Sequence, residues 1–149
     1  MSLKVGDLVP YFELKDQKGE FFKSDTVIGQ KPAVVYFYPK DETPGCTAEA
    51  CSFRDSYEDF KELGAEVIGI SSDSKGSHKR FAQRHCLPFI LLADTKKVVQ
   101  RLFKLPKILF GLYTKRITFV IDEAGKVVYV HDSLLVTSHI KKALKALKG

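Results

Sequence analysis

Ala33-Val34-Val35-Tyr36-Phe37-Tyr38-Pro39-Lys40-Asp41-Glu42-Thr43-Pro44-Gly45-Cys46-Thr47-Ala48-Glu49-Ala50-Cys51 is the stretch on which the fold turns. Its first six residues are apolar, aromatic and β-branched, and too few for a helix, which predicts a strand buried on both faces. After Pro39 the period changes. Cys46, Ala50, Phe53, Tyr57 and Phe60 recur at three- and four-residue spacing, the stripe of a helix lying on a core. Thr43 is placed to cap that helix and Pro44 to open it, where the missing N–H costs nothing. Cys46 then falls in the first turn beside unpaired backbone N–H groups, a position that favours a thiolate. Cys51 follows five residues later, about 140° round an ideal helix and roughly 7.5 Å along it. The two Cα atoms are then roughly 8.5–9 Å apart, beyond the ~7 Å that a disulfide spans. A helix that holds both thiols cannot hold a bond between them unless its first turn unwinds.

Working outward, Phe12-Glu13-Leu14 and Glu20-Phe21-Phe22 flank a polar turn and predict an opening hairpin. Ser24–Gly29 reads as a short helical turn and loop. The helix that begins near Thr43 is expected to run to Leu63, with Gly64 as its stop. Ala65–Ser71 predicts a second buried strand, Ser74–His85 a helix halted before Pro88, and Phe89–Leu92 another strand. Asp94 or Thr95 caps a helix carrying Val98, Val99, Leu102 and Phe103. Lys107–Lys115 reads as an irregular apolar and basic loop. Arg116–Ile121 and Lys126–Val130 predict a closing hairpin, and Thr137 caps a last helix with Ile140, Ala143, Leu144 and Leu147 on one face. Short βαβ connections imply parallel strands and the hairpins antiparallel ones. The expected architecture is an α/β fold with a central mixed sheet and helices on both faces. Sites in such sheets lie beyond the carboxyl ends of strands, which is where Cys46 falls.

The chain has 149 residues, 44% hydrophobic and 28% charged, in keeping with one domain spanning residues 1–149. No apolar run approaches the ~20 residues of a membrane span. The N-terminus lacks the apolar core of a signal peptide, so a cytoplasmic location is expected. The net charge of +6 is concentrated late, in Lys96, Lys97, Arg101, Lys104, Lys107, Lys115 and Arg116, with no acid among them. No nucleic-acid motif accompanies these residues, so a solvated face, or a surface for an acidic partner, is the expectation. Three cysteines in such a chain suggest redox chemistry or one metal site, not a disulfide framework. An iron–sulfur cluster is excluded, because Arg54 stands where the next ligand would have to be. Cys86 reads as a small core hydrophobe. His78, His85, His131 and His139 show no ligand spacing with a cysteine or carboxylate, and none is assigned to catalysis.

Thr43-Pro44-Gly45-Cys46-Thr47, Cys51-Ser52-Phe53-Arg54-Asp55 and Arg116-Ile117-Thr118-Phe119-Val120-Ile121-Asp122 resemble the peroxiredoxins, and within them the peroxiredoxin Q or bacterioferritin comigratory protein subgroup. The similarity runs from about Leu3 to about Leu147. It implies a thioredoxin-like fold and a thiol peroxidase that reduces hydrogen peroxide and organic hydroperoxides without cofactor or metal, in antioxidant defence. By the same resemblance Cys46 is the peroxidatic nucleophile, and Cys51 the resolving thiol that joins it in an intramolecular disulfide. A thioredoxin- or glutaredoxin-type donor reduces that bond, and the protein is expected to be a monomer. Thr43 is only a helix cap on the residues alone, and the resemblance adds a hydroxyl in contact with peroxide. Arg116 is by default an exposed arginine opening a strand, and the resemblance makes it the cation beside Cys46. Pro39 is either a strand terminator or a shield for the sulfur.

Two other readings use the same residues. A disulfide oxidoreductase would need Cys-x-x-Cys, but Thr43 stands in the place of the first cysteine. A non-catalytic binding module would use the basic late segment, and Cys86 is an alternative resolving thiol.

Overall fold

The structure, a computed structural model, describes residues 2–106, 116–133 and 135–149. A hairpin of β1 (Glu13–Asp16) and β2 (Phe21–Lys23) leads through a helical turn at Ser24–Thr26 into β3 (Ala33–Phe37). Then come α1 (Pro44–Asp55), α2 (Tyr57–Glu62), β4 (Glu66–Ser71), α3 (Lys75–His85), β5 (Ile90–Ala93) and α4 (Val98–Leu102). Strands β6 (Ile117–Ile121) and β7 (Val127–Asp132) form the second hairpin, and α5 (Val136–Lys148) closes the chain. The strands make one sheet in the order β2-β1-β5-β4-β3-β6-β7. Strand β3 pairs parallel with β4, and β4 with β5, whereas every other pairing is antiparallel. This is the expected thioredoxin-like α/β arrangement.

The unbroken apolar run of β3 follows from its central place, since all five of its residues are buried. Val34, Tyr36 and Tyr38 turn to one face and pack with Cys46, Ala50 and Phe53 of α1, Phe60, Phe81 and Ile140. Ala33, Val35 and Phe37 turn to the other face, against Val99, Phe103 and Phe119. Tyr36 stacks on Phe53 with ring centroids 4.5 Å apart. Its far end fills the space over its register partner Gly69, where a Cβ would lie 2.8 Å from the Tyr36 ring. Position 69 therefore needs glycine for clearance.

Some boundaries differ from the sequence expectation. The helix expected from Thr43 to Leu63 is two helices, broken at Ser56, which takes φ −102° and ψ 6°. Ser56 O accepts from both Asp59 N and Phe60 N and so starts the new helix. The apolar stripe continues across the break, because Phe53 and Phe60 are both fully buried on the same face of the sheet. Helix α5 begins at Val136 after Leu135, so Thr137, expected as its cap, lies inside the first turn. The loop expected over Lys107–Lys115 falls outside the described residues.

Candidate active site

The peptide leaves the carboxyl end of β3 at Tyr38 and reaches α1 through residues 39–43. Pro39 is half-buried at the start of this connection. Thr43 holds the N-cap backbone position (φ −76°, ψ 150°), and Thr47 N donates to its carbonyl at 2.8 Å. Its hydroxyl does not cap, however. Thr43 Oγ1 donates to Lys40 O at 2.8 Å, back into the loop. Pro44 opens the helix as expected, and Cys46 lies in the first turn, 2% exposed.

Arg116 immediately precedes β6, and the pairing of Phe37 with Ile117 carries it to the carboxyl end of β3, over the start of α1. It is 7% exposed, so the exposed-arginine reading is corrected and its charge leaves the basic surface segment. The guanidinium bridges two partners. Nη2 donates to Cys46 Sγ at 3.5 Å, and Nη1 donates to Glu49 Oε1 at 2.5 Å. Burial opposes the charge on Arg116, but Glu49 and Cys46 outweigh it and hold the group protonated. Gly45 permits this approach, for a Cβ there would lie 3.0 Å from Arg116 Nη2.

Glu49 was not legible as a site residue. It falls one turn after Cys46 on the same helix face and is fully buried. Burial raises its carboxyl to about 7, with Arg116 pulling the other way. Its second oxygen, Oε2, has no hydrogen-bond partner among the described residues and lies 3.7 Å from His139 Nδ1. His139 Nε2 faces Ser133 O at 2.7 Å and must donate to it. Burial lowers the His139 pKa to about 4, so near neutral pH the ring is uncharged and Nδ1 accepts from Thr118 Oγ1 at 2.7 Å.

The three cysteines are free thiols. Cys51 is half-buried on the same unbroken α1 as Cys46, so the helix holds both as the sequence geometry requires. Cys86 is exposed, which corrects its expected place in the core. It ends α3 in the left-handed conformation (φ 51°), and that turn drops Leu87 and Phe89 inward and leaves Cys86 outside. The fold also supplies partners that sequence spacing did not suggest for the histidines. His78 meets Asp41, and His85 meets Glu42.

A thiol at a helix start, an arginine upon it and a thioredoxin-like sheet beneath it define the class of thiol-dependent peroxidases. The AhpC/TSA family matches residues 5–130. Peroxiredoxin Q, chloroplastic, of Triticum aestivum is 47% identical over 149 residues, covering 99% of this chain and 68% of that protein. The Sedum lineare protein of the same name is 49% identical over 145 residues, covering 97% and 77%. Among solved structures, the peroxidoxin BcpB of Mycobacterium tuberculosis superposes with a TM-score of 0.91 at 39% identity, covering 98% of this chain and 97% of that one. Xanthomonas campestris peroxiredoxin Q gives 0.85 at 32% identity, covering 92% and 89%. The chain belongs to the AhpC/TSA family, in its peroxiredoxin Q subgroup, and is a thiol-dependent peroxidase. The expected cytoplasmic location is contradicted, because the plant relatives named here are chloroplastic proteins.

Proposed function

We propose that Cys46 is the nucleophile of a cofactor-independent peroxidase acting on hydrogen peroxide and organic hydroperoxides, as one domain and a monomer, in antioxidant defence. The observation that carries this reading is the Arg116 guanidinium shared between Cys46 Sγ and Glu49. The Cys46 thiolate attacks the terminal peroxide oxygen, the S–O bond forms as the O–O bond breaks, and the sulfur loses two electrons. The departing hydroxide or alkoxide takes up a proton and leaves as water or alcohol. Arg116 Nη2 and the N–H groups of Gly45 and Cys46 are donors near the oxygen on which charge develops. Thr43 has committed its proton to Lys40 O, so it offers lone pairs to the O–H of the incoming hydroperoxide. Pro39 shields the sulfur from water.

Cys51 then attacks the Cys46 sulfenic acid, expels water and forms an intramolecular disulfide, which a dithiol of the thioredoxin or glutaredoxin type reduces with two electrons. Titration of free thiols after one equivalent of peroxide tests the pairing. The wild type should lose two of its three thiols, and mass spectrometry should place the bond between Cys46 and Cys51. The Cys51→Ser variant should react with peroxide at nearly the wild-type rate and then accumulate a trappable sulfenic acid. A Cys46–Cys86 bond in that variant would give Cys86 the resolving role, and an inert wild type would refute the reading.

A further inference from the structure

The loop between β3 and α1 is tied down by a buried polar cluster that the peroxidase chemistry above does not use. Asp41, 4% exposed, accepts from Tyr38 Oη at 2.6 Å and from Ser77 Oγ at 2.8 Å, and its Oδ2 lies 2.6 Å from His78 Nδ1. Its backbone N–H donates to Asp73 Oδ2 at 2.8 Å, and Ser71 Oγ donates to the same oxygen at 2.7 Å. Asp41, Asp73 and His78 bring ligand-type atoms within 4.8 Å of one another, but the inward-facing atoms are already engaged by protein groups, so the cluster is not a vacant cation site.

The ring of His78 fixes the proton count. Nε2 lies 2.9 Å from Leu92 O, a group that only accepts, so Nε2 must donate. Nδ1 faces a carboxylate oxygen, so a second proton lies between ring and carboxyl. Burial pushes the Tyr38 hydroxyl well above its ordinary range, so it remains a donor. The pair thus shares one proton across a 2.6 Å contact, with His78 fully buried. On the downstream side Glu42, at φ 64°, turns its carboxylate to His85 Nε2 at 3.2 Å. Thr43 and the first turn of α1 follow directly on this anchor.

We infer that Asp41 and His78 are positioning residues for the peroxidase step, a latch from β4, β5 and α3 that holds Thr43 and the Gly45 and Cys46 N–H groups in line with Cys46 Sγ. This rests on the reading of Cys46 as nucleophile. Misplacing oriented groups costs far more in a reaction that needs them all than in one that needs only the thiolate.

The test compares two reactions of Cys46 in Asp41→Ala and Asp41→Asn. One is single-turnover reaction with hydrogen peroxide, by quench flow because the chain has no tryptophan. The other is alkylation by iodoacetamide, followed at Cys46 by peptide mass spectrometry. Asp41→Ala should lower the peroxide rate on the order of ten- to a hundred-fold while alkylation changes by less than about threefold. Asp41→Asn should recover most of the loss, since its amide oxygen accepts from Tyr38 while its NH2, in the place of Oδ2, donates to a neutral His78 and to Ser77 Oγ. Nitrogen-correlated NMR should show His78 Nε2 protonated in both proteins and Nδ1 bare in Asp41→Asn. If Asp41→Ala does not fold, Ser77→Ala removes a single donor and should cost about threefold to tenfold in the peroxide rate alone. Unchanged peroxide rates, parallel losses in both reactions, or a bare Nε2 in the wild type would overturn the latch. A wild type slow with peroxide would instead overturn the assignment of Cys46.

Discussion

At the scale of the residue, the proposed chemistry rests on how Arg116 divides itself between a thiol and a carboxylate. A rise in thiolate fraction alone adds little rate, because nucleophilicity falls as the pKa falls. The larger contribution is a donor fixed where charge develops. Arg116→Ala should therefore slow reaction with hydrogen peroxide on the order of a hundred-fold or more, by analogy with a lost oxyanion-hole donor. The deficit should persist in rates measured at a pH high enough to ionise Cys46, and its disappearance there would reduce Arg116 to a tuner of ionisation. Glu49 has a different signature. Its folded pKa of about 7 lies above its ordinary 4.5, so the fold favours the protonated acid. That stability is fully present below pH 4.5 and is lost as pH rises through about 7. The loss is on the order of 3 kcal/mol for the whole shift, with Arg116 limiting it. Denaturant unfolding at pH 5 and pH 8 should show wild type losing ground to Glu49→Gln across that window. Equal pH dependence in the two proteins would contradict the burial of an under-satisfied carboxylate.

At the scale of the element, α1 is built to come apart at one end only. Its first turn has Pro44 and Gly45, neither of which favours a continuous helix, and a cap residue whose hydroxyl points away. Its second half carries Phe53, fully buried, and Arg54, whose Nη1 donates to His85 O at 2.8 Å and pins the helix to the end of α3. The proposed Cys46–Cys51 disulfide needs the first part to unwind and the second to stay. Gly45→Ala stiffens that turn and would be expected to slow disulfide formation, but its Cβ would also lie 3.0 Å from Arg116 Nη2. Both steps should slow, and quench-flow rates for peroxide attack and for thiol loss should show it. Normal attack with slow disulfide closure would mean that the guanidinium moves aside at little cost. The helix itself was legible from its stripe and from Thr43-Pro44. The break at Ser56 was not, because the apolar spacing runs straight through it.

At the scale of the whole molecule, the order of strands and helices could be read because each buried run has turn and cap residues at its ends. The pairing of β1 with β5, which joins the first hairpin to the sheet, could not, since it depends on contacts almost eighty residues apart. The site divides along the same line. Cys46 stands out by local spacing, whereas the roles of Cys51, Thr43 and Arg116 could be read only from the resemblance. Glu49, His139, Asp41 and His78 look like ordinary surface residues until β6, α5 and α3 fold over them. The sheet so formed is a fixed platform, with β3 buried on both faces between β4 and β6. One turn of helix can then move above it while the core stays packed. Amide hydrogen exchange of the reduced protein and of protein oxidised by one equivalent of peroxide measures this directly. Oxidation should raise exchange from about Thr43 to Arg54 and leave Ala33–Phe37 protected. Unchanged exchange over 43–54, in protein that mass spectrometry shows to carry a Cys46–Cys51 bond, would contradict the account.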